Sequence, residues 1–299
     1  MSKKMMTLAF TGSLLGSLEV AQAQTISYDL CQPYANQPAL HKSCRNYLYA
    51  SLATSGELPS AQDVQVITIG FNQWWAKVDG EELATRFCES SRVGTHLQPT
   101  SPMTHKAINN AYKLVFGRDA SEDESKYWRG IWSQQKQCYR DVVRQNVSWV
   151  KQDKVRLKSY LLDRAYQDSL GRVATDAEAQ YWQGQLGQAP LPAGSGSCTE
   201  YPSVDADLVP ALYGQAPSDK TRRVVGYRDL VCANAMWVLN GGEQELFIKR
   251  AIAAAKRPEN HVPHWTSWIN RLKSDLKPDF LQQGFPFVVK EIANWAEPR

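Results

Sequence analysis

Residues 139–149 read Tyr139-Arg140-Asp141-Val142-Val143-Arg144-Gln145-Asn146-Val147-Ser148-Trp149, and residues 227–237 read Tyr227-Arg228-Asp229-Leu230-Val231-Cys232-Ala233-Asn234-Ala235-Met236-Trp237. The same eleven-residue pattern occurs twice, 88 residues apart (139 to 227), and a worn copy runs from Phe285 through Val288 and Val289 to Trp295. The apolar residues recur at helical spacing. Each full copy has a partner segment upstream. Ala111-Tyr112, Gly117-Arg118 and Tyr127-Trp128 return 54 residues later (112 to 166) as Ala165-Tyr166, Gly171-Arg172 and Tyr181-Trp182. Self-similarity at fixed spacing predicts a supersecondary unit stacked on copies of itself. The expected fold class is all-α: tandem three-helix repeat modules behind a small, mostly helical N-terminal region.

The first unit, 104–150, is expected to hold three helices. Ile108, Ala111, Tyr112, Val115 and Phe116 form one amphipathic stripe. Gly117 ends that helix, because glycine enters the left-handed region without a Cβ penalty. Ser121-Glu122-Asp123-Glu124 is a capping box for the next helix, whose buried face should be Tyr127, Trp128, Ile131 and Trp132. Tyr139, Val142, Val143, Asn146 and Trp149 mark the third helix. In the second unit, 158–240, Gly171 and the box Thr175-Asp176-Ala177-Glu178 keep the same register. The offset grows from 54 to 88 residues inside this unit, so 34 residues are inserted, within 187–220. The third unit, 245–299, is degenerate: Arg257-Pro258 stands where Gly171-Arg172 stood, and the turn pattern is lost. Residues 24–100 show no repeat. Val64–Phe71 fits a strand or a helix, and helix is preferred. The stretch 97–102, with Pro99 and Pro102, reads as a linker.

Lys3 and Lys4, an apolar run and Ala21-Gln22-Ala23 predict a signal peptide over 1–23. The mature chain is then expected to be exported, to the periplasm, the cell surface or the medium of a bacterium, with no transmembrane segment. Six cysteines follow: Cys31, Cys44, Cys88, Cys138, Cys198 and Cys232. An even count in an exported chain predicts disulfides, with fifteen connectivities open; pairing of sequence neighbours is preferred. The formal charge of +4 falls to +3 without the leader, too mild to argue for nucleic acid.

Ala-Tyr-x4-Gly-Arg followed by a capping box and Tyr-Trp resembles a helical repeat domain of unknown function, related to phycobilisome linker domains and found in bacterial secreted and surface proteins. Tyr166, Leu170, Gly171, Arg172 and Trp182 carry the resemblance best; Tyr112, Phe116, Gly117, Arg118 and Trp128 repeat it with Phe for Leu. The family's usual Pro after Gly-Arg and Gly before Trp are missing here. The resemblance spans roughly 105–240, fading toward 295. It implies an all-helical assembly module and brings no catalytic residues.

The chemistry-bearing patterns are thin. His261-Val262-Pro263-His264 is the one close histidine pair, and zinc sites normally need three or four ligands. Nucleophile-elbow, phosphate-loop and calcium-loop patterns are missing from the sequence. Asp119, Glu122, Asp123 and Glu124 sit at a helix start, where acids suit the dipole. Arg118 and Arg172 are read as structural, pairing with carboxylates such as Glu122 or Glu178. Asp141 and Asp229 are read as structural ion-pair acids, and the Asn146-Val147-Ser148 sequon is discounted. No cofactor or metal is expected. The leading expectation is a non-enzymatic scaffold that binds a protein partner in the cell envelope. The alternatives are a carbohydrate or peptidoglycan binder using Trp74, Trp75, Trp265 and Trp268, and an envelope hydrolase with its site in 24–100, where His41 and His96 lie.

Overall fold

The computed structural model describes residues 30–66, 75–89, 102–135, 137–192, 223–257 and 264–295. Among them the chain is all-helical, and the one β-type contact is an isolated bridge between Pro190 and Arg223. The expected leader, linker and most of the inserted loop lie outside the described residues. After a short 3-10 turn, Gln32–Tyr34, come α1 Pro38–Ser55 and a helical stretch at 61–66, then α2 Gly80–Glu89. Next are α3 Pro102–Phe116, α4 Glu122–Gln135 and α5 Tyr139–Lys151. Helix α6 runs through Lys154–Leu157, a π segment Lys158–Leu162 and Asp163–Leu170; α7 is Asp176–Gln185 and α8 is Tyr227–Leu239. The chain closes with α9 Gln244–Ala254, α10 Trp265–Lys273, α11 Lys277–Gln283 and α12 Phe285–Asn294. One apolar core runs from Cys31 to Ile292.

Three helices end in a left-handed glycine: α1 at Gly56 (φ 74°), α3 at Gly117 (φ 70°) and α6 at Gly171 (φ 69°). Each glycine is then covered by an aromatic ring from the first residue of a later helix. Tyr139 of α5 lies on Gly56, Tyr227 of α8 on Gly117, and Phe285 of α12 on Gly171. A Cβ at any of the three would run into the ring, so both the backbone angle and the ring demand glycine there. These three contacts are called joints one, two and three below. Each aromatic helix also packs along another helix: α5 on α3, α8 on α6 and α12 on α9. The helices therefore overlap like shingles, with each later helix gripping both a neighbour and the turn before it.

Four residues past Gly56, Ser60 and Asp63 cap residues 61–66: the Asp63 amide donates to Ser60 Oγ at 3.1 Å, and Ser60 Oγ donates to Asp63 Oδ2 at 2.6 Å. Ser121 with Glu124, and Thr175 with Glu178, stand at the same spacing from Gly117 and Gly171. After α9, where the Gly-Arg pattern is lost from the sequence, a left-handed turn is present. Lys256 adopts φ 54°, and the amides of Lys256 and Arg257 donate to the carbonyls of Ala253 and Ile252 at 3.0 and 3.1 Å. Those two bonds are the Schellman pattern, with a lysine in the position usually held by glycine.

Candidate functional site

Eight residues of the sequence pattern come together in two matching sets, Tyr112, Gly117, Arg118 and Trp128 in one and Tyr166, Gly171, Arg172 and Trp182 in the other, while Tyr139, Trp149, Tyr227 and Trp237 belong to neither. In the first, Arg118 forks onto Glu124 with N–O distances of 2.7 and 2.8 Å; in the second, Arg172 forks onto Glu178 at 2.9 and 2.7 Å. The partner of Arg118 is Glu124, two residues on from the expected Glu122. Glu124 is the acid that already closes the capping box, so one carboxylate serves both bonds. Trp128 Nε1 donates to the Tyr112 hydroxyl at 3.0 Å, and Trp182 Nε1 to the Tyr166 hydroxyl at 2.9 Å. Burial pushes both phenols up to about 12. The guanidinium carbons of Arg118 and Arg172 lie 5.4 and 5.3 Å from the rings of Tyr112 and Tyr166. The Ala120 amide donates to Asn109 Oδ1, and the Ala174 amide to Asp163 Oδ1, each at 3.1 Å. This last pair was not foreseen, though Asn109 and Asp163 stand 54 residues apart like the rest.

The electrostatics support a structural role for these pairs. Hydrogen bonding from Arg118 holds the Glu124 carboxyl below its ordinary pKa. Burial pushes the Glu178 carboxyl up, but Arg172 and Thr175 outweigh it and the net direction is again down. Asp141 and Asp229 act as helix caps: Asp141 Oδ2 accepts from the Cys138 amide and Asp229 Oδ2 from the Val225 amide, each at 3.0 Å. The expected role as the partner of a neighbouring Arg gives way at Asp141, since Arg140 is buried against Glu81 (2.7 Å) and Thr85 (2.9 Å).

Several aromatics sit differently from expectation. Tyr127 and Tyr181 are 61% and 56% exposed, because each turns its edge onto the buried Trp beside it. Trp149 and Trp237 are 40% and 43% exposed, closing the ends of α5 and α8 at the surface. Trp74 lies outside the described residues. Trp75 is buried and stacked on Tyr47 at 5.3 Å, and Trp268 is buried edge-to-face with Trp295 at 5.9 Å, so neither offers a face to a sugar. Trp265 is half-buried against the core. The exposed aromatic cluster is instead Trp149 with Tyr160 at 5.3 Å, and Arg156 lies over the Trp149 ring at 4.4 Å.

Cys31–Cys44 and Cys88–Cys138 are disulfides, and Cys232 is disulfide-bonded too. The expected partner of Cys232, Cys198, lies outside the described residues, as do His96, His261 and Pro263. Cys88, Cys138 and Asp141 cluster at metal-ligand distance, but the two sulfurs are bonded to each other and Asp141 caps α5. His41 is half-buried near the start of α1. Asn146 is 95% buried, which removes the sequon from reach. Among the described residues no helix is long and apolar enough to cross a membrane.

Among the described residues an open groove of about 480 Å³ lies between the second half of α5 and the end of α7. Val143, Val147 and Leu186 give it an apolar floor; Arg144, Lys151 and Gln183 stand in its polar lining, and no carboxylate side chain lines it. Lys151 Nζ donates to the Leu186 carbonyl at 2.6 Å and Gln183 Nε2 to the Lys151 carbonyl at 3.1 Å, so the two walls are tied. Sequence reasoning missed this groove. Its trace is Arg144, Ser148 and Lys151 on one side of α5, a polar face that reads as ordinary solvent exposure. Comparison with family models, curated proteins and solved structures finds no match to the chain. The resemblance stated above therefore rests on the quoted turn residues alone.

Proposed function

We propose that the chain is a shingled array of three-helix units serving as an exported, non-enzymatic scaffold, and that it holds an extended segment of a protein partner in the groove between α5 and α7. The observation that carries this reading is the groove's construction: apolar floor, polar rim, cationic side chains without an acid, and walls pinned to each other by Lys151 and Gln183. Preformed grooves of mixed character suit extended peptides, since little ordering cost is left to the host. The array reading draws support from three glycine turns each covered by a later ring and from two matching Arg–Glu turns. It adds a first unit, α1 to α2, that the sequence pattern did not offer. Disulfides are compatible with an oxidising compartment outside the cytosol.

The test fills the groove. Ser148→Trp is expected to abolish co-purification of the envelope partner while leaving the melting temperature within a few degrees of wild type. Unchanged partner capture by that variant would overturn the reading. A second reading, glycan binding, is favoured only by the exposed pair Trp149 and Tyr160. Binding to peptidoglycan that Trp149→Ala removes, and Ser148→Trp leaves intact, would select it.

A further inference from the structure

The three joints are not built alike, and the difference lies one residue before each ring. Joints two and three have Gly226 and Gly284 there, and a Cβ on either would collide with the backbone carbonyl of Leu114 or Asp168. Backbone meets backbone at those joints because glycine permits it. Joint one has Cys138 in that place, with a Cβ that forbids the same approach. What it has instead is a covalent bond, from Cys138 at the start of α5 to Cys88 near the end of α2. Helices α1 and α2 pack chiefly on each other. Besides joint one and the disulfide, α1 also packs on α3 and α5, and polar ties to the rest of the chain include Arg140 to Glu81 and Thr85, and Lys106 and Asn110 to Glu57.

We infer that Cys88–Cys138 is a redox latch: oxidised, it clamps the α1–α2 pair onto the body; reduced, it lets that pair undock while α3 to α12 stay folded. This inference is independent of what the groove binds. The sulfurs differ in access. Cys138 is fully buried and Cys88 is half-buried, so an incoming thiolate reaches Cys88. A dithiol supplies the electrons: its thiolate attacks Cys88 Sγ, the S–S bond breaks, and the Cys138 sulfur leaves with the bonding pair. The second dithiol sulfur then displaces Cys88, closing the cyclic disulfide, and two protons complete the Cys88 and Cys138 thiols. Asp141 Oδ2 stands 3.2 Å from Cys138 Sγ. Once solvent has protonated the released sulfur, that carboxylate oxygen stands where it accepts from the Cys138 thiol.

Hydrogen exchange on the full chain tests the latch. In Cys88→Ala/Cys138→Ala, amides of 38–55 and 80–89 are expected to exchange at least about tenfold faster, while 227–239 and 285–294 keep wild-type protection. Cys31→Ala/Cys44→Ala should leave 80–89 unchanged. Stepwise reduction of the wild-type chain with dithiothreitol, each thiol mapped by alkylation, gives the same reading without a substitution: loss of protection in α2 should track alkylation of Cys88. Unchanged exchange in α2, or equal acceleration in α8 and α12, overturns the latch.

Discussion

At Gly117-Arg118 the guanidinium holds Glu124 alone; at Gly171-Arg172 it holds Glu178 and also Glu243, at 3.3 Å. Inward from the two arginines the contacts agree to a few tenths of an ångström: ring, carboxylate, capping amide and indole are all in the same places. Outward they diverge. Glu243 arrives from the turn before α9 in a left-handed conformation, φ 43°, and also accepts from Arg250 at 2.9 Å. Arg250 in turn donates to the Leu170 carbonyl at the end of α6, at 2.8 Å. A non-glycine residue held there stores strain on the order of 1 kcal/mol, which two arginines offset. The inner half of each turn is thus made by residues within a short local segment, and the outer half by whatever the rest of the chain brings to it.

The joints set the largest scale on which that comparison can be broken. Phe285→Ala is expected to cost about 3–5 kcal/mol, the usual range for removing a buried aromatic, and Tyr227→Ala, whose ring is half-buried, somewhat less. Chemical unfolding measures it. Tyr227→Phe should cost about 1 kcal/mol, because it removes only the hydroxyl that donates to Asp168 at 2.6 Å and leaves a ring like that of joint three. If Tyr227→Phe costs as much as Tyr227→Ala, ring docking is not what holds the joint.

The next scale is the arginines. Arg172→Ala strips Glu178 of its cation and leaves Glu243 to Arg250 alone, whereas Arg118→Ala touches only the Glu124 carboxylate. The first should be the more destabilising by about 1 kcal/mol. Equal shifts in the unfolding midpoint would mean that Glu243 adds nothing and that the two turns are energetically the same.

The smallest effect is in pH. Glu124 and Glu178 have folded-state pKa values below their ordinary ones. Their contribution is complete above the ordinary Glu value, near about 4.3, and is lost as pH falls through the depressed folded value. Unfolding midpoints followed from pH 7 down to pH 3 should fall less steeply in Glu124→Gln/Glu178→Gln than in wild type. Parallel curves would assign the acid sensitivity to other carboxylates.

Much of the inner half was legible in the sequence. Gly117, Gly171, the two capping boxes and the Tyr-Trp spacing are local chemistry, and local chemistry leaves local patterns. The turn at Gly56 keeps only the glycine, Ser60 and Asp63 of that chemistry, too little to recognise without coordinates. The exposure of Tyr127, Tyr181, Trp149 and Trp237 was hidden for another reason: helical spacing says which residues share a face, and tertiary packing decides which face is covered. Glu124 was missed in favour of Glu122 because nothing in the spacing separates two acids in one helical turn. The groove was least visible of all, since it is made by α5 and α7 jointly and neither strip of sequence is unusual alone.

The shingled joints carry a consequence for how the chain acquires its structure. Gly56 waits for Tyr139 across 83 residues (56 to 139), Gly117 for Tyr227 across 110 (117 to 227), and Gly171 for Phe285 across 114 (171 to 285). Helical proteins usually fold fast because their contacts are close in sequence; here the decisive ones are not. During synthesis each turn emerges bare and stays so until a distant ring is made. The helices can form early, but their register against one another is settled only from behind, as each new segment seals the one before the last.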